Sequence, residues 1–268
     1  MTYDREKMRD CIYGLAVGDA LGVPYEFRKR GTFRCDGMDG GGFHCQPAGA
    51  WSDDTSMALC IAASLKAHGY VDVEDISGRF RDWYRNGEYT CDGNVFDVGL
   101  TCAHAIETGV PACSFEECGN GSLMRTAPIA MLTAFSDDDV ADVSRITHAH
   151  AVAVGACIAL CDALKDLKYY GEDGIYEVQR RYGFIAGLPR DAVKSYGYCV
   201  HTLGAAIWCL CNTHSYRECV LAAVNLGGDS DTTAAVAGAM AGVAYGYEAI
   251  PPKWLGQLRG KAVIERCI

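Results

Sequence analysis

Gly227-Gly228-Asp229-Ser230-Asp231-Thr232-Thr233 and Trp51-Ser52-Asp53-Asp54-Thr55 are the two stretches around which this chain is organised. Each gathers two aspartates and several hydroxyls into a few residues. Each then opens an alanine-rich apolar run, Ala234 to Tyr245 after the first and Ser56 to Leu65 after the second. A Ser/Thr/Asp cluster directly before such a run marks a helix N-terminus, because a side-chain oxygen there accepts from an unpaired backbone amide. Capping needs only one oxygen, however, and the apolar flanks put these acids inside the protein. If four carboxylates converge, each pair at about 4 Å repels by roughly 4 kcal/mol at an effective dielectric near 20. Helix dipoles offset only about 0.3–1 kcal/mol apiece. Cations are therefore required. Oxygen-only ligands select a hard divalent ion, Mg²⁺ or Mn²⁺, over zinc. Four carboxylates match the charge of two such ions, which paired sites hold roughly 3.5–4 Å apart.

Outward from the knots, helical periodicity dominates and period-two alternation is too short-lived for a sheet. A first helix is predicted over 4–21, with Gly14, Gly18 and Gly22 four apart so that another helix can approach closely. Glycine weakens a helix by about 1 kcal/mol relative to alanine, so three of them imply a packing or site reason. Further helices are predicted at 55–68, 73–86, 95–108, 121–134, 137–147, 150–168, 173–182, 197–212, 215–226, 231–246 and 252–258. Phe27 to Ala50 is the one long irregular stretch, and its position directly before an acidic knot makes it a candidate lid. No linker or low-complexity tract divides the chain, which predicts one all-α domain over 1–268.

The 268 residues are half hydrophobic and about a fifth charged, enough for a substantial core. No apolar run reaches the roughly 18 residues of a membrane span, and the N-terminus is too charged for a signal peptide. The 15 cysteines lack paired zinc spacing and mostly lie in apolar helical runs, so they read as small hydrophobes in a reduced, cytoplasmic monomer. A net charge of −10 argues against nucleic acid, which needs a basic patch.

Four other segments carry chemistry. Gly119-Asn120-Gly121-Ser122-Leu123-Met124-Arg125 is a glycine-rich turn entering an apolar run; its amides and Arg125 suit an anion such as phosphate, although an ordinary capped loop has the same look. His148 and His150 lie two apart, so they do not share a helix face, and a paired metal site is not expected. Asp97 in Phe96-Asp97-Val98-Gly99 reads first as a helix N-cap, and Glu26 as an acid on the rim of the long loop. Tyr198 reads as a core ring or as a stacking surface for a base.

Taken together and in order, these segments resemble the ADP-ribosylglycohydrolase family, which includes the hydrolases acting on modified dinitrogenase reductase. The stretches carrying the resemblance are Gly14 to Gly22 with Glu26, Trp51 to Thr55, Phe96 to Gly99, Gly119 to Arg125, Thr147-His148, Tyr198 to Leu203, and Gly228 to Thr233. The resemblance implies a compact all-α fold with two Mg²⁺ or Mn²⁺ ions. It implies Ser52, Asp53, Asp54, Asp229, Asp231 and Thr232 as metal ligands, and catalytic roles for Glu26, Asp97 and Asp54. Gly119, Asn120, Gly121, Ser122, Met124, Arg125, His148 and Tyr198 are the implied contacts to ADP-ribose. The implied partner is an ADP-ribosylated protein or an ADP-ribose-containing small molecule, arginine-linked first and serine- or other O-linked next. Two departures, Leu100 where many bacterial relatives have asparagine and His201 where many have an acid, bear on the leaving group. A relative that binds without turnover, or an all-α Mg²⁺-dependent terpenoid synthase, are the competing readings.

Overall fold

Small residues four apart on two separate helices set the architecture. In the computed structural model, which describes residues 3–268, helix α1 (Arg5–Gly22) lies against α12 (Ser230–Tyr245) with their backbones in contact. A Cβ on Gly14 would sit 2.3 Å from the Gly238 carbonyl oxygen, and one on Gly18 would sit 2.0 Å from that of Ala234. The fit is reciprocal, since a Cβ on Gly242 would meet the Asp10 carbonyl at 2.3 Å. At the end of the seam, Gly22 packs against the backbone of Asp231, which delivers the second acidic knot to the end of α1. Gly18→Ala therefore trades about 1 kcal/mol of helix propensity against an overpacking cost of roughly 1–3 kcal/mol or more. A Tm several degrees lower is expected by calorimetry, whereas Gly78→Ala, whose nearest neighbour is the Arg81 guanidinium at 3.8 Å, should raise it.

Between these two come α2 (Asp53–His68), α3 (Val73–Asn86), α4 (Leu100–Thr108), the short α5 (Leu123–Thr126), α6 (Asp137–Arg145) and α7 (Ala151–Tyr170). Then follow α8 (Gly174–Arg181), α9 (Gly183–Ala186), α10 (Cys199–Cys211) and α11 (Tyr216–Val224), with α13 (Pro252–Gln257) and α14 (Lys261–Cys267) after α12. No strand forms among the described residues, only isolated β-bridges such as Ala112–His148 and Gly119–Tyr198. One continuous apolar cluster joins all of these layers, from Met8 and Leu15 through Leu59 and Leu160 to Ile264. All 15 cysteines are free thiols, and most are buried in it. No helix among the described residues is long and apolar enough to cross a membrane.

The all-α class holds, and the differences from sequence are local. The helix expected over 95–108 begins at Leu100, because Asp97 adopts φ +58° and turns the chain away. Asp97 is accordingly not an N-cap; Gly99 holds that position. The helix expected over 121–134 stops at Thr126 and continues as a 3₁₀ segment, Ala127–Met131, since Pro128 has no amide to give an α-helical bond. Helix α14 and the single turn of α9 were not expected. The Phe27–Ala50 stretch is irregular as anticipated, but its base is pinned by paired bonds between Cys35 and Asn225, both 2.9 Å.

Candidate metal centre and ligand cleft

Each acidic knot reaches the centre as the N-terminus of a helix. Ser52 caps α2, its Oγ accepting from the Asp54 amide at 3.2 Å, and Asp229 stands at the N-cap of α12. Three clusters with ligand oxygens or nitrogens within 4.8 Å of one another follow from this placement: Asp19, Asp54 and Asp231; Glu26, Asp229 and Asp231; and Glu26, His44 and Asp97. Shared members make them one continuous acidic floor. Asp53 is buried beside it and lines the cleft.

The hydrogen bonding of this floor is lopsided. Asp54 Oδ2 accepts from Ser52 Oγ at 2.9 Å and from Thr232 Oγ1 at 3.4 Å, so both expected hydroxyl ligands orient Asp54. Asp231 Oδ1 accepts from the Thr232 amide at 3.0 Å. The second oxygens, Asp54 Oδ1 and Asp231 Oδ2, are buried with no partner. A carboxylate oxygen without a donor loses its hydration and gains nothing in exchange. Burial, then Asp19 and Asp53, drives the Asp54 pKa well up; burial, then Glu26 and Asp229, does the same to Asp231. Glu26 is pushed up to about 9, first by burial and then by Asp97 and Asp229. Orphaned oxygens and mutually repelling acids of one chemical kind fit hard divalent cations.

Asp19 went unremarked in the sequence. Its carboxylate accepts from the Ser52 amide at 3.0 Å, from the Thr55 amide at 3.1 Å and from Thr55 Oγ1 at 2.5 Å, fastening α1 to the first turn of α2. Burial raises its pKa to about 6, with the Thr55 and Ser52 bonds pulling the other way. An acid in the otherwise uncharged run Cys11 to Gly22 is a signal that was there to be used. His44 was missed as well. It descends from the long loop, placing Nε2 2.5 Å from Glu26 Oε2 and 3.4 Å from Asp97 Oδ1. Nothing in its local sequence announces that contact.

Above the floor opens a cleft of about 250 Å³ whose lining includes Asp97, Gly119, Asn120, Gly121, Met124 and His148. Asn120 ties this wall to the floor, its Nδ2 donating to Asp229 Oδ2 at 2.7 Å and to Thr202 Oγ1 at 2.9 Å. Gly121 must lack a side chain, since a Cβ would stand 2.6 Å from Cys102 Sγ and 3.0 Å from His148 Cε1. His148 Nδ1 lies 2.8 Å from Thr147 Oγ1, and burial with the nearby Arg125 charge lowers its pKa to about 3, which favours the neutral imidazole.

Three of the expected ligand contacts stand apart from the residues that line the cleft. Arg125 is fully buried, donating to the Gly121 carbonyl at 2.7 Å and to Thr147 Oγ1 at 2.8 Å while stacking 4.6 Å over Phe80. Its guanidinium braces the Gly121 turn against Thr147 from behind and does not reach the cleft. The Ser122 side chain is likewise buried, accepting from Ser144 Oγ at 2.9 Å. Tyr198 lies outside the lining, its ring against His201 and Phe115. Leu100 and Phe27 stand exposed at the mouth.

A family model for ADP-ribosylglycohydrolase matches residues 1–268. An ADP-ribosylarginine hydrolase from Serratia proteamaculans is 34% identical over 94% of this chain and 75% of its own length. The ADP-ribosyl-[dinitrogen reductase] glycohydrolase of Rhodospirillum rubrum is also 34% identical, over 92% of this chain and 88% of its own. A solved structure named as an ADP-ribosylglycohydrolase-related protein complex superposes with a TM-score of 0.81 at 34% identity, covering 98% of this chain and 95% of that one.

Proposed function

The chain belongs to the ADP-ribosylglycohydrolase family, and on that premise we propose that it hydrolyses the bond joining the anomeric carbon of ADP-ribose to a modified arginine side chain. The observation carrying this reading is the meeting of the two acidic knots, with Asp54 Oδ1 and Asp231 Oδ2 buried and unpartnered beneath an open cleft. Asp53, Asp54, Asp229 and Asp231 would hold two Mg²⁺ or Mn²⁺ ions, with Ser52 and Thr232 keeping Asp54 aligned and Asp19 fixing the turn that carries it. Bound ions of this kind supply Lewis-acid polarisation of substrate oxygens and charge compensation.

The remaining roles fall to the chain itself. The Gly119–Gly121 turn, Met124 and neutral His148 would seat ADP-ribose, with Arg125 keeping that turn in register. Glu26 and Asp97, linked through His44, would exchange protons with the attacking water and the leaving nitrogen. A transition state of oxocarbenium character places positive charge on the sugar, which a carboxylate-lined site favours. The same lining suits a guanidinium leaving group, and the arginine activity named for the Serratia relative supports that linkage.

The test is release of ADP-ribose from an ADP-ribosylated arginine substrate with Mn²⁺, Mg²⁺ or chelator. Release with metal is expected to fall by about 10²-fold or more under chelator and to return on adding metal back, the scale on which one preorganised electrostatic stabiliser acts. Tight ADP-ribose binding by calorimetry, with no release from arginine, serine or acetyl linkages, would instead identify a non-hydrolysing binder.

A further inference from the structure

A cavity of about 490 Å³ shares Phe27 with the cleft, and its character is opposite. Arg28, Lys29, Arg30 and Lys194 line it with Tyr196 and a single carboxylate, Asp191. In a chain of net charge −10, four cations around one acid stand out. None of the four forms an ion pair among the described residues. Arg30 is held in the wall by the carbonyls of Leu226, Arg190 and Val193 at 2.6–2.8 Å, which orient its charge without neutralising it. Arg28 lies 5.0 Å over the Phe33 ring. Lys29 and Lys194 are exposed.

This groove is joined to the acidic floor through the backbone. The Phe27 amide donates to the Gly228 carbonyl at 2.7 Å, the Gly228 amide to Arg28 at 2.9 Å, and the Asp229 amide to Ser195 at 2.9 Å. Gly228 in the groove wall is therefore the residue next to Asp229, and Phe27 lines both the groove and the cleft. Exposed lysines with no hydrogen-bonded partner do not form the converging donor set of a tight small-anion pocket. They suit an extended acidic surface, attracted at a distance and held loosely.

We propose that this groove receives acidic residues flanking the modified side chain of the target protein. The inference rests on the hydrolase reading for its substrate, and on the charge and placement of the groove for its specificity. Target selection is then divided: the carboxylate floor takes ADP-ribose and its cationic leaving group, and the basic groove takes the acidic polypeptide beside it.

The experiment uses the full chain and a Lys29→Glu/Lys194→Glu double variant, in which no native ion pair is broken. Substrates are two peptides ADP-ribosylated on one arginine, with Asp/Glu-rich or neutral flanks, and free ADP-ribosylarginine. The wild type should show a KM roughly tenfold lower for the acidic peptide, through steering that about 0.5 M salt removes. The double variant should lose that preference while kcat and the kinetics on free ADP-ribosylarginine stay unchanged. Equal KM values in the wild type, or a preference that survives charge reversal, would overturn the proposal. Fluorescence anisotropy of the unmodified acidic peptide gives a readout independent of hydrolysis, with binding weakened at least about fivefold in the double variant. Equal binding by both proteins, or tighter binding of single-stranded nucleic acid than of the peptide, would also overturn it. Should no substrate release ADP-ribose while the anisotropy difference persists, the hydrolase reading fails and the acidic partner stands.

Discussion

Asp231→Asn is expected to lower metal-supported ADP-ribose release by on the order of 10²- to 10³-fold, the range lost when one preorganised electrostatic stabiliser is removed. The same substitution should make the metal-free protein harder to melt. Asp231 shares two clusters, with Asp19 and Asp54 on one side and Glu26 and Asp229 on the other, so its charge is the one most crowded by others. Asparagine keeps the shape and the side-chain oxygen facing the Thr232 amide, and removes that repulsion. Like charges about 4 Å apart interact by roughly 4 kcal/mol at an effective dielectric near 20, an upper limit because protonation relieves part of it. Calorimetry on the chelated proteins should therefore place the variant's Tm a few degrees above the wild type's, and added Mn²⁺ should reverse the order. A variant that is both fully active and unchanged in its response to Mn²⁺ would remove Asp231 from the centre.

The two knots were legible because each leaves two independent marks on the sequence. A capped helix start fixes where the acids sit, and an excess of carboxylate over what capping needs says that they answer to something else. The glycines of α1 were legible for a similar reason, since Gly14, Gly18 and Gly22 carry a propensity cost that only a close neighbour explains. Contacts made across the fold left no such mark. His44 meets Glu26 across the long loop, 18 residues apart in sequence. Arg125 is the opposite case. Its position after a glycine-rich turn suggests phosphate, yet its guanidinium points back under the turn to the Gly121 carbonyl, where Thr147 and Phe80 enclose it. The synthase alternative needs aspartates on facing helices, whereas here both knots lie at helix N-termini.

The stability of the metal-free protein should fall as pH rises, and divalent cations should cancel that fall. Asp19 and Glu26 have folded-state pKa values of about 6 and about 9, against roughly 4 in an unfolded chain, and burial raises Asp54 and Asp231 as well. Between those limits the folded state holds protons that the unfolded state has released. The slope of unfolding free energy with pH is then negative, about 1.4 kcal/mol per pH unit for each such proton. The contribution is fully present below pH ~4, lost through about 6 for Asp19 and through about 9 for Glu26. For a domain of this size each such proton corresponds to roughly 3–6 °C of Tm per pH unit. A cation at a hundred times its Kd adds about 2.7 kcal/mol and must displace those protons to bind. The gain in Tm on adding Mn²⁺ to chelated protein should thus be larger at pH 8.5 than at pH 5.5, with proton release seen by calorimetry in buffers of different ionisation enthalpy. A gain that stays flat across this range, or binding without proton release, would mean that the buried carboxylates are not what the cation replaces. The orphaned oxygens of Asp54 and Asp231 would then need another occupant.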